Sequence, residues 1–212
     1  MSVISSRRLF LGFTVALSAL LAAPMGYAAE EAPDAMMLRL STSVLDAIKN
    51  DKAIQAGDTN KVMALVDEKI LPNIDFQRMT ASAVGSKWRS ATPDQQKRLQ
   101  EEFRTLLVRT YSGALSQVKD QTVALKPLRA APDDTEVIVR SEVRGRGDPI
   151  QLDYRLEKAT PPATGWKIYD LNVLGVWLVE TYRGQFSQEI NAKGIDGLIA
   201  SLTARNQSNA KK

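Results

Sequence analysis

Along this chain the spacing of apolar residues changes from helical to extended just past the midpoint. Met37, Leu40, Val44 and Ile48 recur at three- and four-residue intervals, which predicts an amphipathic helix with Asp34 as its cap. Asp58 opens a second helix carrying Val62, Leu65, Val66 and Ile70, which Pro72 and Asn73 end. A short third helix begins at Asp75, presents Phe76, Met79, Ala83 and Val84, and closes at Gly85. The fourth has the strongest start signal, since Thr92-Pro93-Asp94-Gln95 combines a hydroxyl cap, a proline at the first helical position and a capping-box glutamine. Its stripe of Leu99, Phe103, Leu106, Leu107, Tyr111, Ala114, Leu115 and Val118 is wide enough to cover a sheet.

From there the period drops to two. Val137, Val139, Ser141 and Val143 alternate with charged or outward positions, and so do Ile150, Leu152, Tyr154 and Leu156 after the Gly145–Pro149 turn. The two strands read as an antiparallel hairpin with one wet face. A strand over Thr122–Leu128 precedes them, and another over Trp166–Leu174 follows the Pro161-Pro162 and Gly165 turn. Gly175 ends it, and two closing helices, Leu178–Ile190 and Ile195–Ala204, flank Gly194. Helices followed by a run of strands predict an α+β fold, with N-terminal helices packed on one face of a curved antiparallel sheet. A sheet curved around a long helix tends to enclose an apolar cavity, and periodicity leaves open whether side chains fill it.

The first 28 residues follow a different logic. Arg7 and Arg8 precede an apolar run from Leu9 to Leu21, and Gly26-Tyr27-Ala28 supplies small residues for cleavage near Ala28–Ala29. This predicts a signal peptide over residues 1–28, its apolar run being short for a membrane span. The expected destination is a bacterial periplasm. Ser6-Arg7-Arg8-Leu9-Phe10-Leu11 also resembles a twin-arginine motif, which leaves the Sec and twin-arginine routes both open. No repeat or long linker interrupts the remainder, so residues 29–212 are expected to form a single domain with a polar tail at Lys211-Lys212.

Composition removes several chemistries. The 212 residues include no histidine and no cysteine. A Ser-His-Asp or Cys-His nucleophile, a thiolate cluster and a conventional zinc site are therefore excluded, as is a disulfide frame. The chain has 28 Lys+Arg and 24 Asp+Glu, and losing Arg7 and Arg8 leaves 26 against 24. A mature charge of that size, without a dense basic run, gives no reason to expect nucleic-acid binding. Asp133-Asp134 and Glu30-Glu31 lack the spacing of a calcium loop, and Gly145-Arg146-Gly147 is a hairpin turn rather than a phosphate loop. No metal site or cofactor is expected. Asp170, set in an otherwise apolar strand, is the one candidate for a general base, but no acid or charge stabiliser completes a constellation around it.

Asn73-Ile74-Asp75-Phe76-Gln77-Arg78-Met79-Thr80, then Ala83-Val84-Gly85 and Trp88-Arg89-Ser90-Ala91-Thr92-Pro93, resemble the MlaC family of periplasmic phospholipid carriers, also called toluene-tolerance auxiliary proteins. Two further blocks match in order, Gly165-Trp166-Lys167-Ile168-Tyr169-Asp170-Leu171-Asn172-Val173 with Gly175-Val176-Trp177-Leu178-Val179 and Tyr182-Arg183, and Gly194-Ile195-Asp196-Gly197-Leu198. Trp177 departs from the small residue, usually Ser, of many relatives and is expected to reshape what the following helix covers.

The resemblance implies a fold similar to the nuclear-transport-factor-like superfamily, with acyl chains held between its layers. It implies no enzymatic activity and no cofactor, with phospholipid as cargo. The implied partners are a lipoprotein–porin complex at the outer membrane and a lipid ABC transporter complex at the inner membrane. The shuttle between them would maintain outer-membrane lipid asymmetry. The residues expected to line the lipid site are Phe103, Leu107, Tyr111, Val139, Leu152, Tyr154 and Val173. Two other readings stay open, an enzyme of the same cone-shaped fold using Asp170 as base and a structural adaptor with a filled core. Headgroup preference, transport direction, oligomeric state and docking surfaces have no signature in the sequence.

Overall fold

Pro33 at the first helical position starts α1 (Pro33–Asn50), with Ala32 as the flanking residue. Asp34, expected to cap this helix, lies inside its first turn, where its carboxylate accepts from the Ala35 N–H at 2.9 Å and suits the positive end of the helix dipole. The structure, a computed structural model, describes residues 30–131, 133–160, 163 and 165–210. The signal peptide, the Pro161-Pro162 turn and the Lys211-Lys212 tail lie outside the described residues. An extra short helix, α2 (Lys52–Gln55), is capped by Asp51, which accepts from Ala53 and Ile54 N–H groups. Asp58 caps α3 (Thr59–Leu65) as its position predicts. That helix is shorter than its apolar spacing suggests, because the backbone widens into a π turn at Val66–Ile70 and tightens at Leu71–Asn73.

Asp75 caps α4 (Phe76–Val84), and Thr92 and Gln95 close the capping box of α5 (Pro93–Leu115) with reciprocal bonds of 3.2 and 3.0 Å. Along α5 the predicted stripe is buried at Leu99, Phe103 and Leu106, half-buried at Leu107 and Tyr111, and exposed at Ala114.

β1 (Thr122–Leu125), β2 (Glu136–Arg144), β3 (Ile150–Lys158), β4 (Trp166–Val173) and β5 (Val176–Trp177) form one antiparallel sheet in sequential order. The fold is therefore α+β. β5 is too short to leave a period in the sequence. Cross-strand pairing of Val137 with Leu156, Val139 with Tyr154 and Ser141 with Leu152 puts the predicted apolar set on one face. Between Arg155 and Leu156 the register with β4 shifts, so that Asp170 opposes Arg155 while Ile168 opposes Leu156. Tyr169 is the extra residue, and the bulge takes it off the apolar face to which strict alternation assigns it. Its hydroxyl donates to Glu136 at 3.0 Å, and the Arg78 guanidinium stacks 3.6 Å from its ring. Arg78 also bridges Glu136 and Glu157, two like charges that face each other across β2 and β3. That relieves a repulsion the pairing would otherwise leave.

α6 (Leu178–Asn209) breaks at Gly194, with φ 71° and ψ −176°, and so divides where the two closing helices were expected to part. Its first leg sets Phe186 edge-on to Phe103, and its second returns along α5, where Asn206 and Thr203 hydrogen-bond Glu102. Backbone of this geometry is nearly confined to glycine. Gly194→Ala is expected to cost about 1–3 kcal/mol in urea unfolding, although nothing lies within 4 Å to obstruct a methyl group.

Buried apolar residues gather in three clusters. One joins α4, α5 and both legs of α6 around Phe103; a second joins α1 to β2, β3 and β4 around Leu156; a third joins α1, α2, α3 and the C-terminal part of α5.

Candidate functional site

The seven expected lining residues come from two periodicities, one along α5 and one across the sheet. Phe103, Leu107 and Tyr111 are four residues apart and share one face of α5. On the sheet, Val139 pairs with Tyr154, which pairs with Leu171; one step along, Leu152 pairs with Val173. Leu107, Tyr111, Leu171 and Val173 all pack against the helical cluster, whereas Tyr154 packs against the α1 cluster. Phe103, Leu107, Tyr111 and Val173 of the set thus belong to or pack on the helical cluster, and Val139 and Tyr154 belong to or pack on the α1 cluster.

Burial divides the set. Phe103 and Val139 are 0% and 1% exposed, enclosed by neighbouring helices. Leu107, Tyr111, Leu152, Tyr154 and Val173 are only half-buried. Val139 shares its buried cluster with Met36, Met37 and Leu40 of α1, a partnership that its own strand pattern does not reveal. Two residues outside the set each pack against two clusters. Val44 packs against both clusters containing α1, and Ile74 touches the helical and the α1 clusters while bridging to Ile168 at the sheet edge. Val44 belongs to the α1 stripe and was legible as core, but Ile74 follows a helix stop and carries no periodic signal.

The tyrosines in and around this region stay neutral. Burial raises the pKa of Tyr154, with the Ser141 and Ser41 hydroxyls opposing it. Burial likewise raises those of Tyr111 and Tyr182. The seven side chains thus present aliphatic and aromatic surface with two neutral hydroxyls, which suits hydrocarbon and offers no ionised group. Among the described residues no group of three or more His, Cys, Asp or Glu gathers, and no helix is long and apolar enough to cross a membrane.

The family model of the MlaC protein matches residues 38–204. The chain belongs to the MlaC family. Among curated relatives, the intermembrane phospholipid transport system binding protein MlaC of Haemophilus influenzae is 23% identical, covering 95% of this chain and 94% of that one. The toluene tolerance protein ttg2D of Pseudomonas putida is 27% identical over 85% of this chain and 83% of its own. A phospholipid-binding protein from Ralstonia solanacearum, solved in complex with a phospholipid, is 48% identical with a TM-score of 0.80, covering 84% of this chain and 98% of that chain.

In this MlaC-family fold the polar residues of β4 face away from the apolar set. Trp177, expected to reshape the space under the following helix, pairs with Asn172 and lies under the Arg155 guanidinium at 3.8 Å, on the other face of the sheet. Asp170 is 1% exposed. One oxygen accepts from the Val179 and Leu171 N–H groups at 3.1 and 2.9 Å, and the other from Arg155 at 3.0 Å. Because Trp177 offers α6 no side-chain cap, Asp170 serves as that cap from a neighbouring strand. Burial raises its pKa, while the backbone donors and Arg155 oppose the rise. The carboxylate faces these partners and not the seven-residue set. Asp170→Ala is expected to cost about 2–4 kcal/mol in chemical denaturation, since it strands two N–H groups and a guanidinium. Asp170→Asn keeps one acceptor and is expected to lose about 1 kcal/mol.

Proposed function

We propose that this protein is a periplasmic phospholipid carrier. Residues 1–28 direct export, and residues 29–212 form one lipid-binding domain that shelters acyl chains in an apolar pocket between α5 and the sheet. Phe103 and Val139 form the packed floor of that pocket. Leu107, Tyr111, Leu152, Tyr154 and Val173 are its yielding wall. The cargo moves between a lipoprotein–porin complex at the outer membrane and a lipid ABC transporter complex at the inner membrane, and that traffic maintains outer-membrane lipid asymmetry. The observation that carries this reading is the 48% identical relative holding a phospholipid. The uncharged side chains of the seven-residue set support it independently.

The energetics suit a carrier without a catalytic step. Two acyl chains carry roughly 30 methylene groups, and at about 0.8 kcal/mol each their exposure to water would cost on the order of 24 kcal/mol. A bilayer hides that surface already. A pocket offering similar shelter makes transfer between bilayer and protein nearly neutral, and hence reversible.

The test is mass spectrometry of the mature protein, purified from the periplasm without detergent. A stoichiometric mass increment under native conditions, released as phospholipid on denaturation, is the expected result. A chain that is empty and takes up no lipid from vesicles would return the apolar set to ordinary core and overturn the proposal.

A further inference from the structure

Exposed apolar side chains are concentrated at one end of the sheet. Ile150, Leu174 and Val176 are 43%, 64% and 52% exposed. They lie where β2 turns into β3 and β4 into β5. Val176 pairs with Val173, which also pairs with Leu152, and Ile150 stands two residues before Leu152 on β3. Ile150 and Val176 therefore extend the inner face of the sheet outward to its end. Burial falls along the same direction, from enclosed Val139 through half-buried Leu152 and Val173 to these tips.

Leu174 is held there against its own preference. The β4–β5 connection is a two-residue turn, Leu174-Gly175, in which both residues have positive φ, 51° and 91°. Turns of this type favour asparagine followed by glycine. A leucine at such a position is both strained and placed in water. The strand ends fix it, since its N–H donates to the Gln151 carbonyl at 3.0 Å and buried Asn172 accepts from the Gly175 N–H at 2.8 Å. Strain of this kind, clamped by its surroundings, marks a working position.

We propose that this tip dips into the hydrocarbon of a phospholipid bilayer when lipid enters or leaves, so that the inner sheet face and the acyl chains of the bilayer become one continuous apolar path. The inference rests on the carrier reading. Three short aliphatic side chains on separate strand ends offer no groove for a shaped partner but suit a fluid one. Arg144 at the end of β2 and Arg146 on the adjoining turn bring guanidinium groups to the depth of the lipid phosphates. Among the described residues Arg144 pairs with Glu142 and Arg146 with Asp120, and both guanidinium groups are themselves exposed, so that phosphate can compete for them.

Leu174→Asn separates shape from stability. Loaded protein carrying it is expected to hold the same amount of lipid as the wild type and to melt at the same or a higher temperature. Its transfer of labelled phospholipid to protein-free phosphatidylethanolamine–phosphatidylglycerol vesicles is expected to slow at least fivefold, and Val176→Thr to slow it in the same direction. Unchanged rates in both variants would overturn the inference and leave the carrier reading intact. Slower transfer only to outer-membrane fragments bearing their proteins would assign the tip to a protein partner, and so also overturn it. A wild-type chain that carries no lipid at all would overturn the carrier reading and this inference with it.

Discussion

Phe103→Ala is expected to lower stability by about 3–5 kcal/mol, read as an earlier midpoint in urea with an unchanged slope. Phe103 is wholly buried, and three rings close around it. Tyr182 and Phe186 meet it nearly edge-on at 4.9 and 5.1 Å, and Phe76 lies tilted at 5.8 Å. Those rings come from both sides, Phe76 from α4 and the other two from the first leg of α6. Truncation would remove the contact that joins three helices and leave a void that backbone elements of this length cannot collapse into. Edge-on ring pairs add about 0.5–1.5 kcal/mol each beyond area burial, which places the expected loss toward the upper end. Loss of lipid in this variant would therefore report unfolding before it reported a missing contact. A midpoint shift below about 1 kcal/mol would mean that the aromatic knot is not what holds α6 to α5.

The knot and the apolar face differ in how far the sequence foretells them. Phe103 was legible as an inward residue because α5 has a regular stripe behind a complete capping box, and local chemistry alone dictates such a helix. Caps at Asp58, Asp75 and Thr92 were legible for the same reason, each being satisfied within four residues of its own position. What escaped depends on partners distant in the chain. The β4 bulge is set by pairing with β3, so strict alternation put Tyr169 on the wrong face. Alternation already sets Asp170 with Asn172 on the face opposite Leu171 and Val173, in a hydrogen-bonded role, but it does not name the donors Arg155 and Val179, which lie fifteen and nine residues away. The face of Trp177 follows from the two-residue β5, which has no period to read. The burial of Val139 similarly comes from α1, some hundred residues earlier in the chain.

This last difference decides which substitutions test the lipid site. Leu152→Trp and Val173→Trp are each expected to reduce bound phospholipid about tenfold while leaving the melting temperature nearly unchanged. Leu152 and Val173 face each other across β3 and β4 and are only half-buried, Val173 packing on the rim of the helical cluster, so an indole at either place can extend away from the enclosed residues. Val139→Trp, which strand alternation alone would recommend equally, is expected to behave differently. Val139 is 1% exposed within the cluster that holds Met36, Met37 and Leu40 of α1, and overpacking of such a site costs about 1–3 kcal/mol or more. Lipid occupancy by mass spectrometry, measured beside thermal melts for all three variants, separates the two classes. If Leu152→Trp and Val173→Trp keep both their fold and their full lipid load, the acyl chains do not run along this face of the sheet. The half-buried residues of the set would then be no more than a loosely packed core.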